Sequence, residues 1–135
     1  MNRALIETLL PDWPKLAPEA RAAAAKAALA FVERELALAP AHVRIGLKAL
    51  GAAFAAFARI AALGRGFKPL ASAKREAILR NWSRLGFPFA AYVRVMRSLA
   101  ILAFAEHPAT LEAMGLESAE EKQTRFRATR AETLA

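Results

Sequence analysis

An all-α fold, a single-domain bundle of five to six helices with a polar C-terminal tail, is what three observations predict. Hydrophobic residues fill 56% of the 135 positions but aromatics only 8%, so the apolar content is mainly Ala and Leu, the strongest helix formers. β-Branched residues are sparse, and no stretch reads as a strand. Proline and glycine fall between runs of helical period, where they start and stop helices. A chain of this length can build one real core, expected over 1–116, with 117–135 as the tail.

A first helix from about Arg3 to Leu10 ends in the turn Pro11-Asp12-Trp13-Pro14. Pro18 opens the second. Proline at a first helical position gives up an N–H that has no intrahelical partner, and no breaker follows until Pro40. The stripe of this helix is Ala25, Leu29, Val32 and Leu36. The third helix runs from about Ala41 to Leu63 and stops at Gly64. Its Val43, Leu47, Leu50, Phe54, Phe57 and Ala61 recur four and three apart, as in a heptad seam. Gly51 and the alanines beside it would let another backbone come close. The second and third helices are therefore expected to form a tight antiparallel hairpin across Ala39-Pro40.

After the loop Gly64-Arg65-Gly66-Phe67-Lys68-Pro69, a fourth helix is expected from near Ser72 to just before Gly86. It should bury Ile78, Leu79, Trp82 and Leu85 and turn a basic face outward. Glu76 and Arg80 stand four apart in the favourable order, a pair worth about 0.2–0.5 kcal/mol. Pro88 opens the fifth, Phe89 to about Ala105, which is apolar on nearly every side and so belongs at the centre. A short sixth helix follows His107-Pro108 and stops at Gly115. Beyond Glu117 apolar residues almost vanish. Ser118 with Glu121 makes a weak capping-box signal, which leaves a frayed helix and a disordered tail both open.

The chain has no cysteine, which removes disulfides, thiolate zinc sites and cysteine nucleophiles together and fits a reducing compartment. His42 and His107 lie far apart, and neither has a second His or Cys at ligand spacing, so no metal site is expected. His107, ahead of Pro108, reads as the end of the fifth helix, where a cation would complement the macrodipole. Glu33 and Glu35 are two apart and point to different helix faces, unlike a catalytic carboxylate pair. Gly64-Arg65-Gly66 is too short for a phosphate cradle and reads as a helix stop. No catalytic or cofactor-binding residue is expected, and the chain by itself is not expected to be an enzyme. No run approaches the roughly 20 apolar residues that a membrane crossing needs. The N-terminus lacks the apolar core of a signal peptide and reads as mature sequence.

The charge is lopsided. From Arg65 to Arg97 the sequence carries Arg65, Lys68, Lys74, Arg75, Arg80, Arg84, Arg94 and Arg97 against Glu76 alone, within a net charge of +8 and a pI near 10.8. A surface so one-sided calls for a counterpart. On residues alone, Trp82 and the stripe Phe89, Tyr92, Met96 read first as core and second as a partner surface. The expected docking surface is the fourth and fifth helices, with Trp82, Phe87, Phe89, Tyr92 and Met96 as apolar anchors and Arg80, Arg84 and Arg97 meeting acids on the partner.

The run Phe67, Leu70, Arg75-Glu76, Leu79, Trp82, Arg84, then Phe89, Tyr92, Met96-Arg97, Leu99-Ala100, Phe104, Pro108 and Met114-Gly115, carries a resemblance. Over roughly residues 35 to 116 the chain resembles the helical small subunit of membrane-associated glucose–methanol–choline flavoprotein dehydrogenases, of the gluconate 2-dehydrogenase type. It is also similar to the helical region preceding the flavin domain of long-chain alcohol oxidases. Two departures stand out. The twin-arginine export signal common among the periplasmic small subunits is absent, and Gly115-Leu116 stands where the oxidases usually have Gly-Tyr before a glycine fingerprint. The resemblance thus implies a cytoplasmic, non-catalytic accessory subunit, peripheral at most to the inner membrane face. It would stabilise or position a separate large FAD-binding oxidoreductase subunit acting on an alcohol, with FAD in that partner. The alternatives are a basic nucleic-acid-binding module, weakened by the lack of base-reading residues beyond Asn81, and a peripheral binder of anionic membranes.

Overall fold

The computed structural model describes residues 3–117 and 119–135. Among them are seven helices and no strand: α1 (Arg3–Leu9), α2 (Pro18–Leu38), α3 (Ala41–Ala61), α4 (Ser72–Ser83), α5 (Phe89–Glu106), α6 (Pro108–Ala113) and α7 (Ala119–Leu134). The starts of α2 and α6 carry proline in the first turn, as their sequences predict. The count exceeds the expected five to six because the tail also forms a helix. Ser118, half of the capping-box signal, lies outside the described residues.

α5 is the central helix, in contact with α1, α2, α3, α4 and α6. Its buried face is Tyr92, Val93, Met96, Ala100 and Phe104; Val95, Ile101 and Leu102 remain on an exposed side. Its broadest contact is with α2, whose buried residues are Ala24, Ala25, Ala28 and Val32. Small side chains on both helices, with Ala28 and Ala100 fully buried, let the two backbones approach closely. α1 lays Ala4, Leu5, Ile6 and Leu9 over this pair, and the Arg21 guanidinium donates to the Pro11 carbonyl at 2.9 Å, fixing the turn between α1 and α2.

The expected α2–α3 hairpin does not form. α3 makes little contact with α2 and rests instead on α4 and α5. The cause lies in the connection. Ala39 (ψ 150°) and Pro40 (ψ 148°) are both extended, and two extended residues carry the chain onward instead of reversing it. Arg44 donates to the Ala37 carbonyl at 3.1 Å across the same corner. Of the heptad seam only Phe54 is buried, joined by Ala58; Leu47, Leu50 and Phe57 are half-buried, and Val43 and Ala61 are exposed. On α4, Ile78, Leu79 and Trp82 are buried as expected, but Leu85 is exposed. The Glu76–Arg80 ion pair is not formed among the described residues.

α3 and α6 end in the same way. After α6, Leu116 N–H bonds Leu111 O at 2.8 Å and Gly115 N–H bonds Glu112 O at 3.0 Å, with Gly115 left-handed at φ 69°. After α3, Gly64 N–H bonds Arg59 O at 2.8 Å and Leu63 N–H bonds Ile60 O at 3.1 Å, with Leu63 left-handed at φ 54°. Both are Schellman caps, but the left-handed position that glycine usually takes is filled by leucine in one of them.

α7 buries none of its described side chains. It is polar nearly all round, tied to Glu117 by an Arg125 ion pair at 2.9 Å, and its Thr124, Thr129 and Thr133 hydroxyls donate to carbonyls four residues earlier.

Candidate functional site

Phe54 is the hub of an aromatic cluster. Its ring lies 5.4 Å from Phe67 and 5.4 Å from Trp82, both edge-on, and 6.5 Å from Tyr92. Trp82 in turn meets Phe57 at 5.4 Å and Phe89 at 4.8 Å, and its indole N–H donates to the Phe89 carbonyl at 3.1 Å. Such pairs contribute about 0.5–1.5 kcal/mol each beyond area burial. Together they fasten the C-terminal half of α3 to α4 and to the start of α5.

The N-terminal half of α3 has no such attachment. Because α3 diverges from α2, a cleft of about 900 Å³ opens between them. Its floor is Phe54, Phe67, Tyr92 and Met96; Leu5 and Leu36 close one side, Leu47, Gly51 and Ala55 the other, and Glu33, Arg44 and Lys48 stand among the lining residues. Gly51 is where α3 meets the floor: a Cβ there would sit 3.2 Å from the Tyr92 hydroxyl oxygen. Tyr92 is 3% exposed, and its hydroxyl makes no hydrogen bond among the described residues. Burial raises the phenol's pKa above its ordinary value of 10.0, so it stands as a neutral donor facing the cleft.

The eight residues expected to form a docking surface do not lie on one face. Trp82 (2% exposed), Tyr92 and Met96 belong to the chain's own core, and Phe89 is half-buried against Trp82. Three of the five expected apolar anchors are thus inaccessible on the outer surface; a tryptophan at helical spacing inside a small bundle is drawn into the core because nothing else fills so much space. Arg80, Arg84, Arg97 and Phe87 (85% exposed) do reach the surface. Arg80 and Arg97 line a smaller recess with Thr8, Glu76 and Ser83. None of Lys74, Arg80, Arg84, Arg94 and Arg97 forms an ion pair among the described residues.

Sequence reasoning missed the outer side of α3. Ile45 and Ile60 are exposed there with the small Ala49, Ala53 and Ala56 between them, at spacings of three and four that place them on one apolar stripe, and exposed Leu63 follows just past the helix end. It also missed the row Arg44, Lys48, Gly51, whose signal is the same helical spacing, four residues and then three along α3.

No group of three or more His, Cys, Asp or Glu among the described residues is placed to hold a metal ion. His107 is the C-cap residue of α5, where its place ahead of Pro108 puts it, and also the N-cap of α6, its Nδ1 accepting from Ala109 N–H at 3.3 Å. No described helix is long and apolar enough to cross a membrane.

The chain is similar to y4nI, an uncharacterized protein of Sinorhizobium fredii, with 28% identity over 100 residues, 74% of this chain and 83% of that one. No family model and no solved structure matches it.

Proposed function

We propose that this chain is a non-catalytic helical docking subunit that binds a larger, acidic-surfaced protein through the outer side of α3 and the α4–α5 corner. The observation that carries this reading is Leu63. A leucine in the left-handed region costs roughly 1–2 kcal/mol that glycine would avoid. Burial does not offset that cost, because the side chain is 90% exposed. At the end of α6 the same chain uses glycine for this geometry. A strained, solvent-facing leucine beside exposed Ile60 fits a side chain kept for contact with another molecule. The exposed, unpaired Arg80, Arg84 and Arg97 with Phe87 supply the aromatic and arginine contacts that interfaces favour.

The resemblance over residues 35 to 116 supports naming the partner as the large FAD-binding subunit of a glucose–methanol–choline-type oxidoreductase, with the flavin and the alcohol chemistry in that partner. Mild purification from the native host, with mass and absorption spectrum of whatever accompanies the chain, tests it. A flavin spectrum with a large polypeptide, lost in an Arg84→Glu, Phe87→Ala variant that still folds, is the expected outcome. A colourless monomer would overturn the subunit reading. The unpaired cations favour a polyanion as the second reading, which would show as duplex-DNA binding that weakens steeply with added salt.

A further inference from the structure

The cleft between α2 and α3 is a feature that the docking role does not use. We propose that it is a binding site for a long-chain apolar carboxylate of the fatty-acid class.

Size and lining come first. About 900 Å³ lies at the upper end of what small-molecule sites enclose, and the walls are predominantly apolar, with leucine, phenylalanine and methionine as the large side chains. A compact polar metabolite would leave those walls wet, whereas an acyl chain would cover them.

Polarity is concentrated at one place. The Tyr92 hydroxyl lies against Gly51, Lys48 is one helical turn from Gly51, and Arg44 is a turn further, so donor and cations follow one row of α3. Lys48 makes no ion pair among the described residues, and Arg44 keeps further N–H donors beyond the one given to Ala37. The Tyr92 hydroxyl, open to the cleft, has no protein partner among the described residues, and a carboxylate oxygen placed between it and the Lys48 ammonium would engage both. Glu33, across the cleft on α2, is the acid among the described lining residues; it disfavours a second negative charge and so suits a monoanion over a phosphate. Glycine at 51 leaves the hydroxyl room, since a Cβ there would sit 3.2 Å from its oxygen.

The test is titration of the full chain, stripped of lipid by solvent extraction, with palmitate and, in parallel, with hexadecanol. One palmitate per chain is expected, with a shift in the ring signals of Tyr92, the chain's single tyrosine. Lys48→Glu, at an exposed position, should weaken palmitate about tenfold and leave hexadecanol unchanged. Tyr92→Phe should weaken palmitate by about tenfold too, the loss expected for a hydrogen bond to a charged group. Ala52, next to Gly51, also lines the cleft and is exposed; Ala52→Trp, which fills the cleft from that wall, should abolish both. Absence of saturable binding, or palmitate binding that ignores Lys48→Glu and Ala52→Trp while the variants keep their helical signal, would overturn the proposal.

Discussion

α5 and α3 are both long and apolar, yet α5 is packed against five other helices while α3 rests mainly on α4 and α5, with its aromatic anchors in its C-terminal half. The difference does not come from hydrophobicity. α5 follows a short, tightly held corner in which Trp82 bonds the Phe89 carbonyl, so its position is fixed as it begins. α3 leaves α2 through two extended residues that send it away from the helix a reversing turn would have let it cover. Burial here is decided by the connections, and the helix left partly uncovered is the one that offers both an inner cleft and an outer stripe.

Matched substitutions on the two helices would sharpen that contrast. Phe104→Ala on α5 should destabilise by about 3–5 kcal/mol in urea unfolding, because the ring is fully buried and the cavity can collapse only in part. Leu63→Gly at the end of α3 should act in the opposite direction, stabilising the isolated chain by about 1 kcal/mol as the left-handed strain is relieved, while weakening capture of the partner. Stability and binding moving apart in one variant would be hard to reconcile with a purely structural leucine.

Gly51→Ala probes the point where the two helices touch. Helix propensity alone favours alanine by about 0.5–1 kcal/mol. With Tyr92 present the new methyl group meets its hydroxyl at 3.2 Å, so the gain should be smaller or reversed, and it should return in the Tyr92→Phe background. A double-mutant cycle reads that coupling directly. Ile60→Asn, on the exposed stripe, should change stability by no more than about 0.5 kcal/mol. A loss as large as that of Phe104→Ala would mean that α3 is covered in solution by the chain itself.

The pH dependence comes from Tyr92. Burial raises its pKa above 10.0, so the folded state prefers the neutral phenol. That contribution is complete below the unfolded-state value and is lost as pH rises through it toward the folded value. Unfolding midpoints measured at about pH 9 and about pH 11 should therefore fall more for the parent chain than for Tyr92→Phe.

Much of the fold is legible in the sequence because its signals are local. Pro18, Pro88 and Pro108 mark helix starts, Gly115 marks a stop, and the breadth of the apolar surface from Phe89 to Phe104 places α5 at the centre. The partner of α2 is not legible. Its alanines state how near a neighbour can come, not which neighbour, and that choice turns on the torsions of Ala39 and Pro40. The candidate site is hard to read for a related reason. Trp82, Tyr92 and Met96 have the side chains that both cores and interfaces prefer, so residue type cannot separate the two roles. Leu63 is hidden by Gly64: a glycine at the end of an apolar run accounts for the helix stop so well that the strained residue before it draws no notice.

The indole bond across the α4–α5 corner also makes this chain its own spectroscopic probe. Its two tryptophans sit at opposite extremes, Trp13 at 72% exposure and Trp82 at 2% with its N–H given to Phe89. Iodide should quench the first and spare the second, and in a Trp13→Phe chain all remaining indole emission would arise at the junction of α3, α4 and α5. Deuterium uptake at that single indole nitrogen then becomes a clock for how often the corner opens, and a partner seated over Phe87 would slow it.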